Sequence, residues 1–124
     1  MAEIVRDKDI EIKNVDANEF ARLWEQFLSV LEKNEIVENY AINKSERYIR
    51  IKISEKFNQE DIRKYFRDAD DMEFSDFINA TFFHHLDDLK RDVYGIEDEH
   101  IMLNIPIFSI KPISDDGKMI EINY

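Results

Sequence analysis

Residues 39–54 read NYAINKSERYIRIKIS, and this stretch decides which kind of fold the chain can make. Its second half alternates: Ile49, Ile51 and Ile53 share one face of an extended strand, while Arg50 and Lys52 take the other. A strand written this way belongs to a sheet packed on one side and wet on the other, the habit of antiparallel sheets. The tetrad NKSE supplies turn residues, so the segment predicts two strand arms around a turn.

Upstream, DIEIKNV alternates through Ile10 and Ile12 and predicts a short strand, with EIVR as a hairpin arm before it. Asp16 followed by Glu19 has the spacing of an N-cap and its capping-box partner. Phe20, Leu23, Trp24, Phe27, Val30 and Leu31 then recur at helical spacing and predict a helix over residues 17–33.

Downstream, Asn58 can cap a second helix carrying Ile62, Tyr65, Phe66 and Ala69 along one side. DADD interrupts, and a third helix is predicted from Glu73 to Tyr94. Its broad apolar face holds Phe74, Phe77, Ile78, Thr81, Phe82, His85, Leu86, Leu89 and Val93. Gly95 followed by Ile96 is the pattern of a left-handed C-cap with a hydrophobic contact back onto the helix. HIMLNIPIFSIKPI, the turn SDDG and KMIEINY predict a C-terminal hairpin, with Pro106 and Pro112 marking an edge or bent strand that disfavours edge pairing. The order β–α–β–β–α–α–β–β predicts an α+β fold of one domain, residues 1–124. Its mainly antiparallel sheet has about four to five strands with three helices packed on it.

The totals remove several classes of function. There is no cysteine, so disulfides and thiolate-ligated zinc are excluded. With only two glycines the chain lacks the Gly-rich phosphate cradles of nucleotide enzymes. No apolar run approaches the ~20 residues that span a bilayer. The opening MAEIVRDKD is charged from the start, the reverse of a secretory leader, so a cytoplasmic location is expected.

The net charge of −11 is unevenly placed: residues 1–54 carry 11 acids and 9 bases, residues 55–124 carry 17 acids and 8 bases. Between Asp68 and Glu99 the 11 acids face only Lys90 and Arg91. Such a field repels nucleic acid and anionic membranes and attracts basic surfaces or cations. The candidate partner-binding residues are therefore Asp68, Asp70, Asp71, Glu73, Asp76, Asp87, Asp88, Asp92, Glu97, Asp98 and Glu99. Phe83 joins them as an exposed aromatic anchor, unless it folds over the rim of the core.

The three histidines raise a second possibility. On a helix His84 and His85 lie about 100° apart. His85 then falls in the apolar stripe, and His84 falls on the wetter face with Asp87, Asp88 and Arg91. His84 and Asp88 stand at i, i+4 and could share a cation, with His100 as a third ligand, giving a possible zinc site. The same three residues could serve a metal-dependent hydrolase. No nucleophile motif accompanies them, and an acidic region repels phosphate, so a non-enzymatic protein is expected.

In profile the whole chain resembles the small acidic inhibitors carried by phages and mobile elements, the anti-CRISPR proteins among them. It is short, cysteine-free, glycine-poor, rich in Lys, Ile, Asn, Asp, Glu and aromatics, and has a concentrated acidic patch. No motif is shared, so no residue role carries over. The resemblance implies a non-enzymatic protein in a bacterial cytoplasm that binds a basic nucleic-acid channel of a nuclease by partial nucleic-acid mimicry, blocking DNA or guide RNA. An immunity protein or antitoxin facing a basic nuclease toxin would use the same surface.

Overall fold

The computed structural model describes residues 11–68 and 71–124. The EIVR arm, Ile10, Ala69 and Asp70 lie outside them. The elements run β1 (Glu11–Asn14), α1 (Ala17–Lys33), β2 (Val37–Asn43), β3 (Tyr48–Ile53), α2 (Gln59–Tyr65), α3 (Phe74–His84), α4 (Leu86–Tyr94), β4 (Ile101–Asn104), β5 (Ser109–Pro112) and β6 (Met119–Asn123).

The class is α+β as expected, yet the described strands form two sheets rather than one. β2-β3-β6-β5 make an antiparallel sheet, and β1 pairs separately with β4, in parallel. The run HIMLNIPIFSIKPI is thus not a single hairpin arm. Residues 101–104 join β1, and only residues 109–112 join β6. Proline has no N–H to give a ladder, so the chain leaves one sheet near Pro106 and enters the other beyond it.

The alternation in residues 48–53 works as read. Ile49 and Ile51 are fully buried opposite Ile122 and Ile120 of β6. On the wet face Arg50 Nε donates to Glu121 Oε2 at 3.0 Å directly across the ladder. Lys52 pairs with Glu38 of β2 at 2.9 Å.

Against the inner face packs α1, with Phe20, Leu23, Trp24, Phe27, Leu28 and Leu31 all buried. From α3 come Phe74, Phe77, Ile78 and Phe82. The Trp24 indole lies flat on the Phe82 ring, centroids 4.0 Å apart and planes 6° from parallel. Full burial of each such side chain contributes about 1.5–3 kcal/mol.

Asp16 caps α1 as predicted, its Oδ1 accepting the Glu19 N–H at 2.8 Å. The reciprocal half of a capping box is replaced, because Glu19 is drawn away to other elements. Its carboxylate accepts the Tyr94 hydroxyl at 2.6 Å and pairs with Lys13 at 3.3 Å, tying β1 and α4 to the start of α1. Burial, then this bond, raise the Tyr94 pKa. In α2 the Asn58 N–H donates to Asp61 Oδ2 at 2.8 Å, and Ile62 is buried. Tyr65 remains exposed, and Phe66 ends the helix instead of extending it.

The largest departure is in the third predicted helix, which is two. His85 separates α3 from α4 with φ −100° and ψ 12°. Its backbone N–H reaches both Thr81 O (3.1 Å) and Phe82 O (3.2 Å), a tightening to 3₁₀ geometry. The His85 ring also holds the Thr81 carbonyl through Nδ1 at 2.9 Å. His85 is therefore exposed at a break and is no member of the buried stripe. Beyond it Leu89 and Lys90 are both buried. Gly95 closes α4 at φ 69°, its N–H on Arg91 O and that of Ile96 on Lys90 O, the predicted left-handed cap.

Candidate functional site

Lys90 sets the character of the acidic region. Only 5% exposed, it sends its ammonium to Asp98 O at 3.0 Å and Ile101 O at 2.9 Å. These bonds pin the loop after α4, and with it Glu97–Glu99, against the helix. They also bury one of the two bases between Asp68 and Glu99, although its ammonium stays 3.8 Å from Asp87 Oδ1. The other, Arg91, stays exposed but is paired with Asp88 at 3.4 Å and Asp92 at 3.5 Å.

Between α4 and that loop lies an open cleft of about 450 Å³, lined by Asp87, Asp88, Glu97, Glu99, Arg91 and Lys90 among others. Glu97 and Glu99 have no ion-pair partner among the described residues. Asp98 is occupied differently. Its carboxylate accepts the backbone N–H of His100 at 2.9 Å and meets the His100 ring at 3.2 Å, and these two bonds hold its pKa below the ordinary carboxylate value.

Asp68, Asp71, Glu73, Asp76, Asp87, Asp88, Asp92, Glu97, Asp98 and Glu99 are all exposed, and Asp70 falls outside the described residues. They do not make one cluster. Asp87, Asp88, Glu97 and Glu99 share the cleft. Asp68, Asp71, Glu73 and Asp76 sit at or before the other end of α3, where Asp76 stands about 12 Å along the helical rise from His84, before the break that starts α4.

Between the two groups stands Phe83. Seven residues from Asp76, it falls on the same side of α3. It is 46% exposed, with one ring face stacked on Phe108 at 6.0 Å. It leans on the core through Phe108 and still presents apolar surface to solvent.

His84, Asp88 and His100 are not brought together. His100 is engaged by Asp98, and among the described residues no three His, Asp or Glu side chains converge in a way that could hold a metal ion. Compared with protein-family models, curated proteins and solved structures, the chain matches none. No helix among the described residues is long and apolar enough to cross a membrane.

Sequence reasoning missed three participants. Lys90 counted as a surface base, although it is the buried clamp of the loop. Val30 and Tyr65, placed on apolar stripes, are 43% and 57% exposed and flank a second cleft on the opposite side of α4. For Lys90 a weak signal existed, since it follows Leu89 directly at the edge of the helical stripe. For the other two the periodicity gave none.

Proposed function

We propose that the protein is a non-enzymatic inhibitor that docks its acidic α3–α4 face on a basic nucleic-acid channel of a nuclease, in the manner of anti-CRISPR proteins, and blocks entry of DNA or guide RNA. The observation that carries the reading is the cleft of Asp87, Asp88, Glu97 and Glu99, whose neighbouring lysine is turned inward onto backbone carbonyls. A surface meant only for solubility has no need of charge held in fixed positions, whereas recognition of a row of lysines or arginines does. Phe83, between the two acidic groups, supplies an apolar contact to complement the charge.

The reading is tested by binding to a basic nuclease across a salt series. Attraction between exposed charges is screened over about 10 Å at 0.1 M salt and about 3 Å at 1 M, so affinity is expected to fall steeply. Combined reversal of Asp87, Asp88 and Glu97 to lysine is expected to abolish binding while leaving the thermal transition in place. Binding that ignores both salt and reversal refutes the reading. An immunity-type protein facing a nuclease toxin gives the same outcome, and the nuclease that is captured separates the two.

A further inference from the structure

The break at His85 opens a cleft of about 240 Å³ on the side of α4 facing away from Glu97 and Glu99. Its floor is the buried surface of Phe27, Leu31, Ile36, Phe77 and Leu89. Val30 and Tyr65 stand at its walls, among the few large apolar side chains left exposed. Thr81, also in the wall, has a buried hydroxyl with no hydrogen-bond partner among the described residues.

The rim is of another chemistry. Asp88 and Asp92 carry carboxylates there, with Arg91 shared between them. The His85 ring borders the cleft, and its Nδ1 contacts the Thr81 carbonyl. A carbonyl only accepts, so Nδ1 carries the proton and, in the neutral ring, Nε2 is left as an acceptor. The rim therefore carries two carboxylates against one guanidinium around an apolar floor. That combination suits an occupant with an apolar body and a cationic, donor-rich flank.

We infer that this cleft seats a segment of a partner protein that presents an aromatic or aliphatic side chain with an arginine or lysine beside it. The apolar side chain covers Phe27, Leu31 and Leu89, and the cation meets Asp88 and Asp92. The inference rests on the reading of a basic partner given above and deepens it. Asp88 and Arg91 belong to both clefts, so α4 becomes a ridge gripped on two sides, by charge alone on one flank and by charge plus an apolar anchor on the other.

The test needs no nuclease. Three capped dipeptides, Phe-Arg, Phe-Glu and Ala-Arg, are titrated into the ¹⁵N-labelled protein and followed by amide chemical shifts. Phe-Arg is expected to move the amides of Val30, Thr81, His85 and Leu89 in a saturable way. Phe-Glu binds at least about tenfold more weakly because its charge opposes the rim, and Ala-Arg, lacking the anchor, does not saturate. Asp92→Asn lowers Phe-Arg affinity by about two- to fivefold, the range for an exposed ion pair. Val30→Gln, at an exposed helical position, lowers it without changing charge.

The inference is overturned if Phe-Arg leaves these amides unmoved, if Phe-Glu binds equally, or if dilution of the free protein alone moves them, since a second copy would then be the occupant. Failure here is distinguishable from failure of the inhibitor reading. A nuclease complex that is lost on reversing Asp87 and Glu97 but indifferent to Val30→Gln sinks only the cleft. Saturable Phe-Arg binding without any nuclease complex sinks only the inhibitor.

Discussion

Replacing Lys90 by methionine tests the clamp on which the acidic cleft depends. Methionine keeps an unbranched apolar stem but not the ammonium, which donates to Asp98 O at 3.0 Å and Ile101 O at 2.9 Å. Hydrogen bonds from a charged donor are each worth about 1.5–3 kcal/mol. Against them stands the desolvation of a buried charge, which the substitution recovers in part. A net loss of about 2 kcal/mol follows, because the Ile101 carbonyl loses the ammonium and the Asp98 carbonyl keeps only the Ile101 N–H. For a chain of this size that lowers the melting temperature by about 8 °C.

The assay is built in. Trp24 is the single tryptophan and is fully buried against Phe82, so its fluorescence reports urea unfolding of the core. Amide exchange at Ile101, whose N–H bonds to Asp98 O at 3.2 Å, reports the loop separately and should quicken more than exchange within β3. The variant also separates two accounts of binding. Deleting a positive charge tightens the grip on a basic partner if only net charge matters, but weakens it if Lys90 holds Glu97 and Glu99 in place. Lys90→Met with wild-type stability and unchanged exchange at Ile101 would falsify the clamp.

Phe82→Ala removes the ring that Trp24 lies on and is expected to cost about 3–5 kcal/mol, with a red-shifted Trp24 emission in the folded state; an unshifted spectrum counts against the stacking. Gly95→Ala meets no atom within 4 Å but must hold φ 69°, so thermal unfolding should show a loss of about 1 kcal/mol, with Gly95→Asn losing less. In acid, Asp61, Asp98, Asp116 and Glu121 have folded pKa values held below their ordinary 3.8 or 4.5. Their contribution is present above the unfolded values and is lost as pH falls through the folded ones, so urea midpoints should drop below about pH 4. Tyr94 acts at the other extreme: its pKa is raised above 10.0, so its contribution is whole below pH 10 and declines above it. Tyr94→Phe should flatten that alkaline limb.

What the sequence disclosed follows from how far each signal travels along the chain. Ile49, Ile51 and Ile53 declare their face through spacing alone, and so do the buried residues of α1, because both periods are local. The pairing of β1 with β4 brings Ile12 beside Met102, and no periodicity in either strand specifies a partner ninety residues away. The break at His85 fails for a different reason. Counting turns keeps His85 in line with Phe82 and Leu89, but the backbone responds to an imidazole nitrogen and an N–H converging on one carbonyl.

The same distinction runs through the candidate site. The excess of carboxylates between Asp68 and Glu99 is a property of composition and was legible, as was the exposure of most of its members. Their division into two groups was not, because it depends on where α3 ends and how α4 is aimed. Lys90 makes the point most sharply. A lysine is ordinarily assigned to solvent because burying its charge is costly, and only the folded chain brings two backbone carbonyls, from Asp98 and Ile101, to receive it. Its inward turn converts an acidic composition into an acidic surface with fixed geometry. A composition can repel or attract; a geometry can recognise. The case for a specific partner therefore rests less on the net charge of −11 than on a single cation, Lys90, whose bonds to the Asp98 and Ile101 carbonyls fix the loop that carries Glu97 and Glu99.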